Sequence, residues 1–164
     1  RELGPLMTAI VMAGRTSAAF AAELGTMKVN EEIDAMSTMG LDPVRFLVVT
    51  RVIAILIMMP LLTIFANLLG IIGGSVVLLS LGYPLVTYVD RIIISASYVD
   101  LLGGLFKSLA FGLIVAGIGC SRGLQTKTGA SAVGVSTTKA VVSGFVLIII
   151  TDGIFSVVYF YLGI

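Results

Sequence analysis

The run VIAILIMMPLLTIFANLLGIIGGSVVLLSL, residues 52–81, decides the fold class, because none of its side chains carries a charge. A helix needs about 20 apolar residues to cross a hydrocarbon core of roughly 30 Å. The run is longer than that, so we expect it to tilt, to kink at Pro60 or to extend beyond the membrane. It does not alternate in polarity as the strands of a membrane β-barrel do. We therefore predict an all-α, polytopic helical membrane protein.

The composition of the whole chain agrees with this class. Of 164 residues, 58% are hydrophobic and 12% are charged, whereas about 25% of the residues of a soluble domain are charged. The formal net charge of +1 gives no indication of nucleic-acid binding. The chain has no His and a single Cys, Cys120, which excludes an internal disulfide and argues against a zinc site built by the protein.

Four apolar segments are expected to span the membrane, and the connections between them differ in charge. Connections 25–51 and 122–139 hold six of the ten Lys and Arg residues, so the positive-inside rule places both in the cytoplasm. Segment 82–104 then lies on the outer side, as a loop, an interfacial helix or a re-entrant piece. The predicted spans are 5–24, 52–81, 105–121 and 140–162.

Nothing in the sequence indicates enzymatic chemistry. The string GGLFKS at 103–108 lacks the Gly that precedes Lys in a phosphate-binding P-loop, and neither HExxH nor GxSxG occurs. The chain begins at Arg1 without a Met or a signal-peptide pattern, so we expect an N-terminal part to be missing. Residues 1–164 are expected to form a single transmembrane domain.

A short acidic stretch, GTMKVNEEIDAMSTMGLDP at 25–43, lies between the first two predicted spans. It predicts a helix over about 31–39, with Asn30 as the N-cap and Gly40 after the last turn.

The predicted helix has an apolar face formed by Ile33, Met36 and Gly40, and this face allows two interpretations. The helix is either a coupling helix that docks into a groove on a motor protein, or a surface helix that rests its apolar side on the bilayer. Both use the same spacing, so the spacing does not separate them.

Two charged side chains fall inside predicted spans, where a charge costs about 2.5–3.5 kcal/mol and usually faces a partner or a wet cavity. Arg15 lies in the first span and Asp152 in the fourth. Because both are expected near mid-depth, we predict that they approach one another, either as a gate or as a packing clamp. Lys107, near the outer interface, is interpreted either as a snorkelling anchor or as a contact for lipid phosphate.

Small residues recur at a spacing of four, which lets membrane helices approach closely. This predicts a packed bundle or a dimer and says nothing about chemistry. The stripes are Gly14, Ala18, Ala22 and Ser17, Ala21, Gly25, and the GxxxG pairs are Gly70, Gly74 and Gly119, Gly123.

An ordered series of motifs extends along essentially the whole chain. The motifs are RELGP at 1–5, AGR at 13–15, AAELGTMKVNEEIDAMSTMGLDP at 21–43, PLLT at 60–63, KS at 107–108, STTKAVV at 136–142 and then Asp152. This series resembles the MlaE/YrbE permease family, the membrane subunits of bacterial lipid-transporting ABC systems associated with MCE proteins. Glu32 stands where the family often has Gln, and the family's interfacial helix and further span would precede Arg1.

The resemblance implies a multi-pass permease of the bacterial inner membrane, with the plastid inner envelope as the alternative. It implies a phospholipid or related lipid as the substrate and three partners: a cytoplasmic ABC ATPase, an MCE-domain protein on the outer side and a second permease copy. The chain itself would hold no cofactor, because ATP and Mg²⁺ would bind to the ATPase.

The resemblance also implies roles for particular residues. It favours the coupling-helix interpretation and places a lipid path beside the start of the chain. The residues implied for ATPase coupling are Glu31, Glu32, Ile33, Asp34, Ala35 and Met36, and those for the lipid path are Arg1, Glu2, Leu3 and Lys107.

Two other functions compete with this one. A secondary transporter driven by an ion gradient would use Arg15 and Asp152, whereas a membrane scaffold would transport nothing.

Overall fold

The computed structural model describes residues 2–95 and 97–163, and every regular element in these two stretches is helical. The predicted all-α class is confirmed. Two π-helical turns, Ala13–Ser17 and Val44–Val48, join α1 to α2 and lead into α4. The α-helices are α1 (Leu3–Met12), α2 (Ala18–Val29), α3 (Glu32–Thr38), α4 (Val49–Ser80), α5 (Leu85–Ser95), α6 (Tyr98–Leu124) and α7 (Ala130–Leu162).

Within the described stretches, three helices are long and apolar enough to cross a membrane, judged by length and composition. They are Val44–Ser80, α6 and α7. Each begins seven to ten residues before the corresponding predicted span, because the residues ahead of each apolar run, charged ones included, continue the helix. Pro60 lies inside α4 without ending it.

The predicted first span, 5–24, forms most of a helical rod that consists of α1, the first π turn and α2. This rod is not one of the three helices, because Arg15 and several hydroxyl side chains lower its hydropathy. It packs against α4, α6 and α7.

The rod, α4, α6 and α7 form a bundle. The start of the rod and the last turns of α7 lie at the same end of this bundle. There Ser156 of α7 donates a hydrogen bond of 3.4 Å to the Glu2 carboxylate. Tyr159 of α7 donates one of 2.8 Å to the Gly103 carbonyl of α6. This is the outer end of the predicted topology.

The opposite end holds the two basic connections. The position of a Cβ on Gly25 in α2 would lie 2.8 Å from the Thr126 hydroxyl oxygen, just after α6. Connections 25–51 and 122–139 therefore share one end, as predicted. The positive-inside rule predicts that this is the cytoplasmic end.

The segment 82–104, predicted to lie on the outer side, contains α5 and the start of α6, so it is not a simple loop. Tyr88 attaches α5 to α4, because its hydroxyl donates a hydrogen bond of 2.8 Å to the Ile71 carbonyl. Gly74 provides the space, since a Cβ there would lie 2.6 Å from the Tyr88 hydroxyl oxygen.

Small residues let the rod lie close to α6. A Cβ on Gly119 would be 2.8 Å from the Ser17 carbonyl oxygen, and one on Gly123 would be 2.7 Å from the Leu24 Cβ. The stripe with Ser17 therefore faces this GxxxG pair, whereas Gly14 of the other stripe is exposed. On an α-helix with 3.6 residues per turn, side chains four residues apart drift gradually around the helix axis. The π turn has more residues per turn, so it reduces this drift and keeps the stripe facing α6. The buried residues at this spacing are Pro5, Ala9, Ala13, Ser17, Ala21 and Gly25.

Candidate functional site

The acidic stretch folds into α3, about where the spacing predicts a helix. Gly40 follows its last turn with a φ of 79°, the left-handed conformation expected after a helix. The predicted N-cap is wrong: the cap position is taken by Glu31, with a φ of 60°, and Asn30 instead ends α2. At φ −82° and ψ 6°, Asn30 lacks the extended backbone from which a side chain caps a helix.

The apolar face of α3 packs on the helices of its own chain. Ile33 is 6% exposed and belongs to a buried cluster with Leu24, Leu47 and Cys120, against which Met36 also packs. Ile33 therefore packs within its own chain. This burial does not agree with the implied role of Ile33 as a contact for the ATPase.

The opposite face of α3 is exposed and acidic. Lys28 ties it to α2, because the Lys28 Nζ lies 2.9 Å from the Asp34 Oδ1. Met39, next to this face, is 69% exposed, so an apolar side chain adjoins the acids. We call the exposed members of the predicted coupling set the acidic face: Glu31, Glu32, Asp34 and Ala35.

Arg51, close to α3, links α4 to α2. Its Nη2 donates a hydrogen bond of 2.9 Å to Glu23, and its Nη1 donates one of 3.0 Å to the Leu47 carbonyl. The guanidinium also lies 5.6 Å from the centre of the Phe20 ring. Arg51 therefore links α2 to α4 beside Leu47, which packs in the same buried cluster as Ile33 of α3.

At the outer end, Lys107 is fully buried between two carboxylates. Its Nζ contacts the Glu2 carboxylate and lies 2.6 Å from the Asp152 Oδ1. A buried ammonium group is unfavourable unless it is paired, so this cluster ties the start of α1 to α6 and α7. The snorkelling interpretation of Lys107 is wrong, because the side chain points into the bundle.

The predicted approach of Arg15 to Asp152 is not found. Asp152 pairs with Lys107, while Arg15 is exposed on the π turn. The register explains this, since a Cβ on Gly144 of α7 would lie 3.3 Å from the Ala13 Cβ. Asp152 lies about 12 Å from that contact toward the outer end, and Arg15 lies on its other side.

A cavity of about 700 Å³ opens beside the Lys107 cluster, between α1, α4, α5 and the first turn of α6. We call it the outer cavity. Its wall has apolar side chains, such as Leu3 and Met7, and polar ones, such as Asn67 and Tyr88. Gly70 lines it without a side chain.

Two of the predicted lipid-path residues, Glu2 and Leu3, line the outer cavity. Arg1 lies outside the described residues, and Lys107 is buried behind the wall. Sequence reasoning missed Asn67, although a single amide in the long apolar run was a usable signal.

Comparison with known proteins gives consistent matches. The chain matches the family model described as Permease MlaE over residues 1–158. It is 46% identical over 154 residues to a probable ABC transporter permease of Synechocystis sp., covering 93% of this chain and 58% of that protein. It is 39% identical over 153 residues to a probable ABC transporter permease of Rickettsia typhi, covering 93% and 59%.

A plant protein is similar as well. The chain is 39% identical over 161 residues to the chloroplastic protein trigalactosyldiacylglycerol 1 of Arabidopsis thaliana, covering 98% of this chain and 46% of that protein. The chain thus spans 46–59% of the length of these three relatives.

The bacterial relatives are named as permeases, which are transport components rather than enzymes. Their bacterial and chloroplast origins, together with the long apolar helices, fit a bacterial inner membrane or a plastid envelope. The family model extends over both the acidic face and the residues of the outer cavity. The chain therefore belongs to the MlaE permease family.

Proposed function

We propose that this chain is part of the permease subunit of an ABC transporter that moves phospholipid or a related lipid between the inner membrane and an MCE-domain partner. A separate cytoplasmic ATPase binds ATP and Mg²⁺ and supplies the energy. Two permease copies form the pathway. Membership of the MlaE permease family supports the ABC-transporter part of this proposal.

The acidic face supports the contact with an ATPase. Its carboxylates lie on a short cytoplasmic helix whose inner side is anchored by Ile33. An exposed face on an anchored helix can receive a push from a partner and pass it to the spans. A partner surface that carries cations would complement Glu31 and Glu32, while Asp34 is already engaged by Lys28.

The outer cavity is the single observation that carries the lipid part. Its volume of about 700 Å³ lies within the roughly 300–1,000 Å³ that is typical of ligand sites. Leu3 and Met7 offer an apolar surface for acyl chains, and the Asn67 amide offers hydrogen-bonding groups for a head group. Support also comes from the Arabidopsis relative, whose name contains that of a lipid.

A cavity-filling substitution tests this proposal. Gly70 lines the outer cavity, and a Cβ there would have no neighbour within 4 Å, so Gly70→Leu fits the fold and occupies the cavity. We expect ATP-driven lipid transfer by the full-length permease, reconstituted with its ATPase and MCE partner, to fall about tenfold or more. Fluorescent phospholipid transfer between vesicles is the measurement.

Gly73→Leu is the matched control. Gly73 lies on the same helix and is equally free of neighbours, but it does not line the cavity. Both substitutions gain the same helix propensity, so they differ only in the filling of the cavity. Equal transfer rates for the two variants would contradict the proposed lipid path.

The ion-gradient alternative uses Arg15 and Asp152, and it gains no support from the structure, in which Asp152 pairs with Lys107 instead. Transport that follows a proton gradient in the absence of ATP would support it. Transport that requires ATP and the ATPase supports the permease proposal.

A further inference from the structure

A second cavity, of about 460 Å³, lies at the cytoplasmic end of α6 and α7. Three cations line it, Arg122, Lys127 and Lys139, and Ser131 and Ser136 add hydroxyl groups. No acidic side chain is among its lining residues. We call it the basic cavity.

The three cations of the basic cavity form no ion pair with any residue in the described stretches. Among the other Lys and Arg residues of the described stretches, Lys28, Arg51 and Lys107 have a carboxylate partner, whereas Arg15, Arg45 and Arg91 have none but do not share a cavity. Like charges around one cavity repel each other, and an anion between them would relieve this repulsion. The basic cavity therefore has the charge of an anion site.

Arg122 is held in place for such a contact. Its Nη2 donates a hydrogen bond of 3.0 Å to the Ser143 hydroxyl on α7. An arginine has five N–H donors, so most of them stay available to a ligand. Lys127 and Lys139 are exposed and can adjust to the same anion.

The depth of the basic cavity fits a lipid head group. Helix α7 has 33 residues and is about 50 Å long, which exceeds a hydrocarbon core of roughly 30 Å. Its first ten residues, ASAVGVSTTK, are mostly small or polar, and the apolar run begins after Lys139. The cations therefore lie where the phosphates of the cytoplasmic leaflet are found.

An adjoining groove distinguishes a lipid from a soluble anion. A cavity of about 470 Å³ shares Arg122 with the basic cavity and continues along α6 and α7 past Gly117, Ile118 and Leu147. Gly117 lies five residues before Arg122 on α6, so the groove reaches about 8 Å deeper into the membrane. The lining is polar near Arg122, where Ser121, Gln125 and Ser143 lie, and apolar at Gly117, Ile118 and Leu147. An acyl chain fits the apolar part of the groove, which a soluble phosphate would leave unused.

We propose that the basic cavity and this groove together bind one anionic phospholipid of the cytoplasmic leaflet. Its phosphate lies among Arg122, Lys127 and Lys139, and one acyl chain follows the groove past Gly117. The site is at the opposite end of the bundle from the outer cavity, so it does not depend on the proposed lipid path.

Native mass spectrometry of the purified full-length permease tests this site. The probes are phosphatidylglycerol, diacylglycerol with the same acyl chains, and glycerol 3-phosphate. We expect phosphatidylglycerol to bind more tightly than either of the others. In the variant Lys127→Gln/Lys139→Gln its affinity should fall about tenfold or more, because each cation near an anionic lipid contributes measurably.

Arg45→Gln/Arg91→Gln is the charge-matched control, since it removes two exposed cations that lie outside the basic cavity. This control should retain the lipid. Gly117→Leu tests the groove without changing charge, and it should weaken phosphatidylglycerol binding, whereas Gly134→Leu should not. Neither glycine has a neighbour within 4 Å of an added Cβ, so both variants are expected to fold.

Four results would overturn the proposal. Equal affinities for phosphatidylglycerol and diacylglycerol would exclude phosphate recognition. Equally tight binding of glycerol 3-phosphate would identify a soluble-phosphate site. Equal losses in the lysine variant and its charge-matched control would indicate unspecific electrostatics. Unchanged lipid binding with loss of the ATPase in the lysine variant would identify a protein interface.

Discussion

Lys107 is the residue on which the outer end of the bundle depends most. Lys107→Met would remove the buried cation that contacts the carboxylates of both Glu2 and Asp152. We expect the free energy of unfolding to fall by about 3–5 kcal/mol, as it does when one partner of a buried ion pair is removed. The measurement is the thermal unfolding midpoint of the full-length permease in detergent.

A second substitution separates the charge effect from the loss of packing. Lys107→Met/Asp152→Asn removes a repelling carboxylate and should recover part of the lost stability, so the two effects should not be additive. Strict additivity would show that Lys107 and Asp152 act independently.

The sequence indicates that Asp152 needs a partner, but it does not say which one, since Lys107 and Glu2 are 105 positions apart. The fold alone brings these groups together.

At the scale of the helix, the seam between the rod and α6 depends on glycine. A Cβ on Gly119 would lie 2.8 Å from the Ser17 carbonyl oxygen and 3.0 Å from the Ser17 Cα, and backbone atoms cannot easily move away. We expect Gly119→Ala to lower the free energy of unfolding by about 1–3 kcal/mol through overpacking. Gly117→Ala on the same helix has no neighbour within 4 Å and should be neutral or slightly stabilising. Equal unfolding midpoints for the two variants would contradict the close seam.

The limits of the sequence are also visible at this scale. The Gly119–Gly123 pair and the stripe with Ser17 were both predictable from their spacing. Which of the two stripes faces α6 was not predictable from the sequence. The stripe that begins at Gly14 has an equally regular spacing, and Gly14 is exposed only because of how the helices pack. The acidic segment predicted a short cytoplasmic helix, but not that Ile33 faces inward, because the same spacing serves a core contact and a partner contact.

Over the whole molecule, one continuous rod connects the two candidate sites. At its cytoplasmic end, Lys28 holds α3 through Asp34. At its outer end, Leu3 and Met7 line the outer cavity, and Glu2 is fixed by Lys107. Because the rod is helical over its full length, a displacement of α3 would reach the wall of the outer cavity as a shift of the rod along or across α6. Under the proposed function, this is a physical route from the ATPase to the lipid path.

In the proposed function the ATPase contacts the acidic face, so a charge reversal there should weaken this contact and uncouple ATP hydrolysis from lipid transfer. We expect Glu32→Lys to weaken retention of the cytoplasmic ATPase about tenfold or more and to abolish ATP-driven lipid transfer, because like charges would then meet. Unfolding midpoints should not change, since the side chain is exposed.

Asp90→Lys makes the same change on an exposed residue of α5 at the outer end and should leave the ATPase bound. Co-purification of the ATPase with each variant is the measurement, and if Glu32→Lys retains it as well as Asp90→Lys does, the motor does not act through α3.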